Sequence, residues 1–296
     1  MSRNKPKLLI TGVSGFLGWN LATLARDDWQ VTGLYHSRPI EIDGVDTFPC
    51  DLGDQQSLTD LFEKIRPDAL IHLAAISSPN VCEENPQRSR QINVRASEIL
   101  ASLCKRHQVA MVFTSSSQVY SGDHPPYTER SPTHPLNAYG QQKLDAEQAI
   151  RSACPTATIC RVPLMYGAAP EGATSSLYPV LHALRSGQPG KLFTDEIRSA
   201  LGAHSASEGL LNMLTRPGEL YLLAGEESLS RYAFGLRVAA FLKLDHAPLI
   251  PTEQAALTMA AKRPANLTMD CSKARSAGFR PRSIEEELSY ALSLGA

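Results

Sequence analysis

Tyr139 and Lys143 stand four residues apart, so a helix through them presents a phenol and an ammonium on one face. Ser116 lies upstream, just beyond the apolar segment Ala110–Thr114, which reads as a strand. These three residue types suit carbonyl reduction, in which a hydride goes to carbon and a proton to oxygen. A free phenol titrates near ~10, too high for ready proton exchange at neutral pH. An adjacent ammonium favours the phenolate and is expected to lower that value; bringing it to neutrality takes roughly 4 kcal/mol of differential interaction. The serine hydroxyl would hydrogen-bond the substrate oxygen and orient it. By spacing alone, Tyr-x-x-x-Lys is as readily a solvated pair on a surface helix, so the elements around it decide.

A second chemical feature stands near the N-terminus, in Leu8-Leu-Ile-Thr-Gly-Val-Ser-Gly-Phe-Leu-Gly18. This reads as an apolar strand, a glycine turn and the start of a helix. Gly12 permits the tight turn, Gly15 lets a pyrophosphate approach the backbone, and Gly18 lets the helix pack on the sheet. Ser14, Phe16 and Leu17 complete the loop and first helical turn, where free N–H groups and the positive end of the dipole suit phosphate. The spacing is G-x-x-G-x-x-G. A βα turn without ligand is the plainer reading of the glycines alone. Their place directly after an apolar strand, with the Tyr139/Lys143 pair downstream, favours the dinucleotide reading.

Strand-like and helix-like segments alternate between these two features. Strands are expected at Lys7–Ile10, Val31–Tyr35, Thr47–Cys50, Ala69–Ala75, Ala110–Thr114 and Ala157–Val162. Helices are expected at Phe16–Arg26, Gln55–Ile65, Pro86–His107 with an irregular start, and Asn137–Ser152 with Asn137 as N-cap. The alternation implies right-handed crossovers and an α/β fold: a Rossmann-type doubly wound parallel sheet with a smaller C-terminal substrate-binding lobe. A ligand is then expected over the carboxyl ends of the strands, where strand order reverses. We assign residues 1–165 to the nucleotide-binding domain, with 197–225 returning to it, and residues 166–196 and 226–296 to the lobe. The Ala168–Ser176 stretch, rich in Ala, Gly, Pro and Ser, reads as a loop. Later helices are expected at Ser176–Arg185, at Ser230–Leu242 and from Ser283.

The 296 residues are 43% hydrophobic and 20% charged, with a net charge of −1. That balance gives no field favouring nucleic acid or an anionic membrane. No apolar run nears the ~18 residues of a membrane span. The N-terminal residues lead straight into the first strand, leaving no room for a leader, so a cytoplasmic location is expected. None of the six cysteines forms a C-x-x-C pair and the eight histidines lack ligand spacing, so no metal is expected. A homodimer is the default expectation for such a fold.

Cofactor choice turns on the end of the second strand, Tyr35-His36-Ser37-Arg38, which carries no acid to accept from ribose hydroxyls. A 2′-phosphate would be welcomed by Arg38, with Ser37 and His36 beside it. NADP(H) is the expected cofactor, with NAD(H) the alternative; a solvated loop arginine is the plainer reading of Arg38.

The motifs together resemble an extended short-chain dehydrogenase/reductase. The matching segments are Thr11–Gly18, Cys50-Asp-Leu52, His72-Leu-Ala-Ala75, Thr114-Ser-Ser-Ser-Gln-Val-Tyr120, Tyr139-Gly-Gln-Gln-Lys143 and Arg161-Val-Pro-Leu-Met-Tyr-Gly167. Tyr127-Thr-Glu129, Pro135-Leu-Asn-Ala-Tyr-Gly140, Arg263-Pro-Ala-Asn266 and Met269-Asp-Cys-Ser-Lys273 are most similar to the dTDP-4-dehydrorhamnose reductase group; the last two form a C-terminal signature, especially Asp270-Cys-Ser-Lys273, that resembles that of the regulatory beta subunit of methionine adenosyltransferase as well. The resemblance implies that Tyr139 donates the proton, Lys143 binds the nicotinamide ribose and tunes Tyr139, and Ser116 orients the carbonyl. It implies that Asp51 meets the adenine amino group with the Leu52 backbone beside it, though spacing alone equally makes Asp51 a turn residue. Leu73, Ala74 and Ala75 would line the nicotinamide side, and backbone near Pro163 would face the carboxamide. Ser77, Ser116, Arg198 and Arg263 are candidate contacts to a nucleotide-linked sugar, an ion pair being the plainer role of Arg198. Ser116-Ser117 stands where the reductase group has Thr-Asp, and Ser117-Gln118 where sugar dehydratases have Asp-Glu. The resemblance therefore implies an NADPH-dependent reductase of a nucleotide-linked 4-keto-6-deoxy sugar, with a non-catalytic cofactor-binding subunit or an epimerase as alternatives.

Overall fold

Side chains alternate between the two faces of a strand, so strands that are apolar at nearly every position must be covered on both sides. The computed structural model, which describes residues 5–295, shows how this is met. One parallel sheet contains β1 (Lys7–Thr11), β2 (Gln30–Tyr35), β3 (Val45–Pro49), β4 (Ala69–His72), β5 (Ala110–Ser116), β6 (Thr158–Val162) and an edge strand, Leu220–Leu222. Across the sheet the order is edge strand, β6, β5, β4, β1, β2, β3. Strand order reverses between β1 and β4, which opens a crevice at their carboxyl ends.

Leu8 and Ile10 of β1 face one layer, with Leu17 and Leu21 of α1 (Phe16–Ala25) and Leu210 and Met213 of the helix Ala203–Met213. Leu9 faces the other layer, with Leu58 and Phe62 of α2 (Gln55–Ile65), Leu100 of the helix Ala96–His107 and Ile150 of the helix Ala138–Ala153. The doubly wound arrangement is therefore as the alternation predicted. The edge strand lies beside β6, Tyr221 pairing with Cys160.

A third core lies beyond β6. Val180, Leu181, Phe234, Val238, Ile284 and Leu288 bring together the helices Tyr178–Ser186, Arg231–Leu242 and Ile284–Ser293. Short strand pairs complete this part: Gly190–Phe193 with Leu249–Thr252, and Ile197–Arg198 between Leu229–Ser230 and Asn266–Leu267.

Boundaries shift where side chains capture backbone. β5 continues through Ser116, so this residue ends the strand and does not follow it. β4 stops at His72, because Leu73 and Ala74 donate their N–H groups to the Thr11 hydroxyl, each at 3.1 Å. The long helix expected from Pro86 is interrupted by a π turn at Gln91–Arg95. Asn93, in that turn, holds both backbone groups of Ile76: its Oδ1 accepts from Ile76 N–H at 2.8 Å and its Nδ2 donates to Ile76 C=O at 3.1 Å.

Candidate functional site

A cleft of about 630 Å³ lies at the switch point. Gly12, Ser14, Gly15, Phe16, Leu17, Gly18, His36, Arg38, Asp51, Leu52, Leu73, Ala74, Ala75, Ser77, Tyr139 and Lys143 all line it. The segments that were read separately thus share one wall. Arg88, Ile92, Thr114, Ser115 and Gly172–Thr174 also line it and were missed by the sequence reading. Arg88 reaches the cleft from a helix 37 residues beyond Asp51, a distance that no local pattern encodes. Gly172–Thr174 belong to the loop after β6, which lies against the Arg38 side chain.

At the glycine end the backbone is shaped for close approach. Gly12 has φ of +76°, and a Cβ there would lie 2.9 Å from Ala74 Cα. The amides of Gly12 and Val13 donate to Leu34 C=O at 2.7 and 3.0 Å, which ties the turn to β2. A Cβ on Gly18 would come within 2.2 Å of Gly12 O, so helix and turn touch directly. Arg38 reaches back over this loop and donates from one terminal nitrogen to Ser14 C=O. Its Nε is buried without a partner, as is the Thr114 hydroxyl. A glycine cradle beside an unpartnered guanidinium nitrogen fits a phosphate-bearing dinucleotide.

Asp51 sits at the same end. Its carboxylate accepts from Gly53 N–H at 2.8 Å and from Arg88 at 3.3 Å to each oxygen, with His36 Nε2 at 3.9 Å. The Gly53 amide and then Arg88 hold it below the ordinary carboxylate range. Ser37 does not line the cleft, so the basic group at this end is Arg38, His36 and Arg88.

Asn137 caps the helix carrying the phenol and the ammonium, accepting from Gly140 N–H at 2.9 Å. The Tyr139 side chain is buried, and burial pushes its phenol up to about 12 against the opposing effect of the Ser116 hydroxyl. The expectation that Lys143 would lower this phenol is corrected here: withdrawal of the phenolate from water outweighs every group that favours it. Lys143 is itself buried and brought down to about 8 by desolvation, with Glu147 opposing. Its Nζ donates to Thr114 C=O at 2.8 Å and stands 4.6 Å from the Phe113 ring centroid. Ser116 does not line the cleft; it is buried beside Tyr139 and accepts from Gln118 N–H at 3.2 Å.

Beneath the cleft, donor counting fixes the state of His72. The Thr11 oxygen already accepts two amides, so its hydrogen goes to His72 Nδ1 at 2.7 Å. Nε2–H then donates to Ser97 Oγ at 2.9 Å, and that hydroxyl donates to Asn93 C=O. Burial brings His72 down to about 3, so the ring is neutral.

Besides Ser37 and Ser116, three further predicted contacts lie off the cleft. Pro163 does not line the cleft, although Val162 and Met165 on either side do. Arg198 is buried and directed into the fold: it donates to the carbonyls of Ile197, Ala265 and Pro264 at 2.7, 3.1 and 2.9 Å, and sits 3.4 Å from Glu196. It does not line the cleft as a sugar contact would; its place is the plainer one, an ion pair, extended here into a chain clasp. Arg263 donates to Asn80 Oδ1 at 3.0 Å, bridging the segment after residue 260 to the helix Pro79–Glu84. Glu196 also lies 3.8 Å from Arg231, which the sequence reading did not single out.

The parallel sheet, the switch-point crevice and the glycine cradle define a Rossmann-like α/β protein. Residues 6–294 match the family model described as RmlD substrate binding domain, and the chain belongs to that family. It is 29% identical over 286 residues to methionine adenosyltransferase 2 subunit beta of Xenopus laevis, covering 94% of this chain and 84% of that protein. It is 27% identical over 292 residues to the probable low-salt glycan biosynthesis reductase Agl14 of Haloferax volcanii, covering 94% and 95%. A hypothetical dTDP-4-dehydrorhamnose reductase from Sulfolobus tokodaii superposes with a TM-score of 0.84 at 26% identity, covering 95% of this chain and 99% of the other. Among the described residues no helix is long and apolar enough to cross a membrane.

Proposed function

We propose that the protein is an NADP(H)-dependent reductase of a keto-sugar linked to a nucleotide, of the 4-keto-6-deoxy type. The observation that carries this reading is the presence of Tyr139 and Lys143 on the wall of the cleft that holds the glycine cradle. When bound, the nicotinamide supplies the hydride that reaches the carbonyl carbon. Tyr139 gives its proton to the carbonyl oxygen; a phenol held near 12 stays protonated at neutral pH and is a competent donor. Lys143 and Ser116 stabilise the phenolate left behind, and Ser116 orients the oxygen. Gly12, Ser14, Gly15, Phe16, Leu17 and Gly18 hold the pyrophosphate; Asp51 and Leu52 meet the adenine; Leu73, Ala74 and Ala75 line the nicotinamide side. Arg38 meets the 2′-phosphate, which favours NADP(H) over NAD(H). Residues 1–165 and 197–225 act as the cofactor domain, and the rest receives the sugar with Ser77 at the junction. Among the relatives, the Haloferax and Sulfolobus reductases support this reading.

The test is NADPH oxidation against a panel of nucleotide-linked 4-keto-6-deoxy sugars. Wild type is expected to consume one NADPH per sugar reduced, and Tyr139→Phe to lose on the order of 10²–10⁴-fold in kcat while still binding NADPH. Undiminished turnover by Tyr139→Phe overturns the mechanism, and product without net NADPH loss points to an epimerase. A second reading, a cofactor-binding subunit of another enzyme, is favoured by the similarity to the methionine adenosyltransferase subunit. A stable enzyme partner, with no oxidation on any sugar, would select it.

A further inference from the structure

Behind the Tyr139/Lys143 pair, the same helix carries a buried acid. Glu147 lies one turn beyond Lys143 and two turns beyond Tyr139, on the face turned to the sheet. Its carboxylate accepts from Arg161 through Nε at 2.9 Å and a terminal nitrogen at 2.6 Å, and from the Ser115 hydroxyl. The remaining terminal nitrogen of Arg161 donates to Tyr120 Oη at 2.8 Å, and that hydroxyl donates to Thr128 C=O. The side chains of Arg161 and Glu147 are 6% and 4% exposed, so the fork is sealed from water and both members are charged.

This acid has a use beyond bracing the helix against β5 and β6. An ammonium buried beside Phe113 and hydrogen-bonded to Thr114 C=O is costly to keep charged. The groups facing it are few. On its own helix they are Tyr139 and Glu147; from β4 comes His72, neutral by its tautomer; from the helix Pro79–Glu84 comes the Cys82 thiol, itself raised by burial. β5 presents a carbonyl and an aromatic ring, and β6 presents Arg161 on the Glu147 carboxylate. Among the described residues, Glu147 is the carboxylate acting on Lys143.

We propose that Glu147 is a positioning residue for Lys143: held ionised and oriented by Arg161, it keeps the ammonium charged behind Tyr139. The proposal rests on reading Tyr139 and Lys143 as the proton-transfer pair, and names the group that sets the charge of its cationic member. Removing the carboxylate leaves the ammonium with a carbonyl dipole and a ring, and with an uncompensated Arg161 nearby. Lys143 then releases its proton more easily, since a lost negative neighbour disfavours the charged amine.

The proposal is tested by NMR titration of the full chain carrying ¹³C-labelled lysine, with the Lys143 signal assigned by its loss in Lys143→Met. In wild type the Lys143 midpoint is expected near 8, well below surface lysines. Glu147→Gln is expected to weaken proton affinity at this site by about tenfold or more, and Glu147→Asp, which retains the charge, by less than about threefold. If Glu147→Gln does not fold, Glu147→Gln/Arg161→Met removes both charges at once, and a smaller loss in the same direction, about threefold, is expected because the repelling guanidinium leaves with the carboxylate. A wild-type midpoint in the ordinary lysine range, or a folded Gln variant within a factor of two of wild type, overturns the proposal. The titration uses neither cofactor nor substrate, so an absence of NADPH oxidation would overturn the reductase reading and leave this result standing. Where turnover is measured, the alkaline limb of kcat/KM is expected to move to lower pH in Glu147→Gln, a change that loosening of the helix alone would not produce.

Discussion

Arg38 and Arg198 are the same side chain in two regions that use it in opposite ways. Arg38, beside the glycine turn of the cleft, holds a single loop carbonyl and carries a buried nitrogen with no partner. Arg198, in the short strand Ile197–Arg198, is saturated by three carbonyls and a carboxylate. In the sequence Arg38 was a candidate for a 2′-phosphate and Arg198 a candidate contact to a nucleotide-linked sugar, with an ion pair as its plainer role. The difference teaches that an arginine is available to a ligand when its donors exceed the acceptors around it, and is part of the scaffold when they do not. The Glu196 neighbourhood extends the contrast. One buried carboxylate serves Arg198 and Arg231, and desolvation brings both guanidiniums below their usual range, Arg198 to about 10.

The strongest way to break this contrast is to delete the clasp. Arg198→Ala leaves Glu196 deprived of a buried partner and strands three carbonyls, so a loss of about 3–5 kcal/mol in unfolding free energy is expected. Urea denaturation checks it. A loss below about 1 kcal/mol, accompanied by a large rise in substrate KM, would return Arg198 to the substrate. The complementary test is Arg38→Ala. Here the unfolding free energy is expected to stay within about 0.5 kcal/mol of wild type, because a loop carbonyl at the cleft can turn to water. NADPH affinity is expected to fall by about ten- to a hundredfold with NADH affinity little changed, the worth of a charge-assisted contact to the extra phosphate. Fluorescence titration with both reduced cofactors checks it; tighter NADH binding by wild type would reverse the assignment.

How much of this was legible in the sequence follows from the range of each signal. The Tyr139/Lys143 face, the Asn137 cap and the glycine turn are encoded within a few residues, and the structure shows those local geometries. Continuous apolar strands such as Ala69–His72 declared a sheet covered on both faces. What was not legible depends on who meets whom across the fold. Arg88 joins Asp51, Arg198 is claimed by carbonyls 66 and 67 residues further on, and Gly172 arrives beside Arg38 from the loop after β6. The height of the Tyr139 phenol was misjudged for a related reason. Residue spacing shows a neighbouring cation but not the depth of burial, and burial is the larger influence.

The smallest effect asks whether the cleft half also contains polar groups wholly committed to the scaffold. His72 is the candidate, since both ring nitrogens are bonded and the ring is fully buried. Its folded value near 3 lies below the unfolded value of about 6.5, so between these the unfolded chain takes up a proton that the folded chain refuses. Stability must therefore fall as pH drops below about 6.5, at a slope approaching 1.4 kcal/mol per pH unit from this group alone. Between pH 6.5 and 5.5 wild type is expected to lose about 1 kcal/mol more than His72→Gln, whose lower starting stability lacks this titration. Urea melts at the two pH values give the difference directly, because groups common to both proteins cancel. Parallel losses would mean that His72 accepts a proton in the folded protein. The ring would then belong with Arg38 among groups free to respond to a ligand, and the line between scaffold and site would run above Thr11 instead of below it.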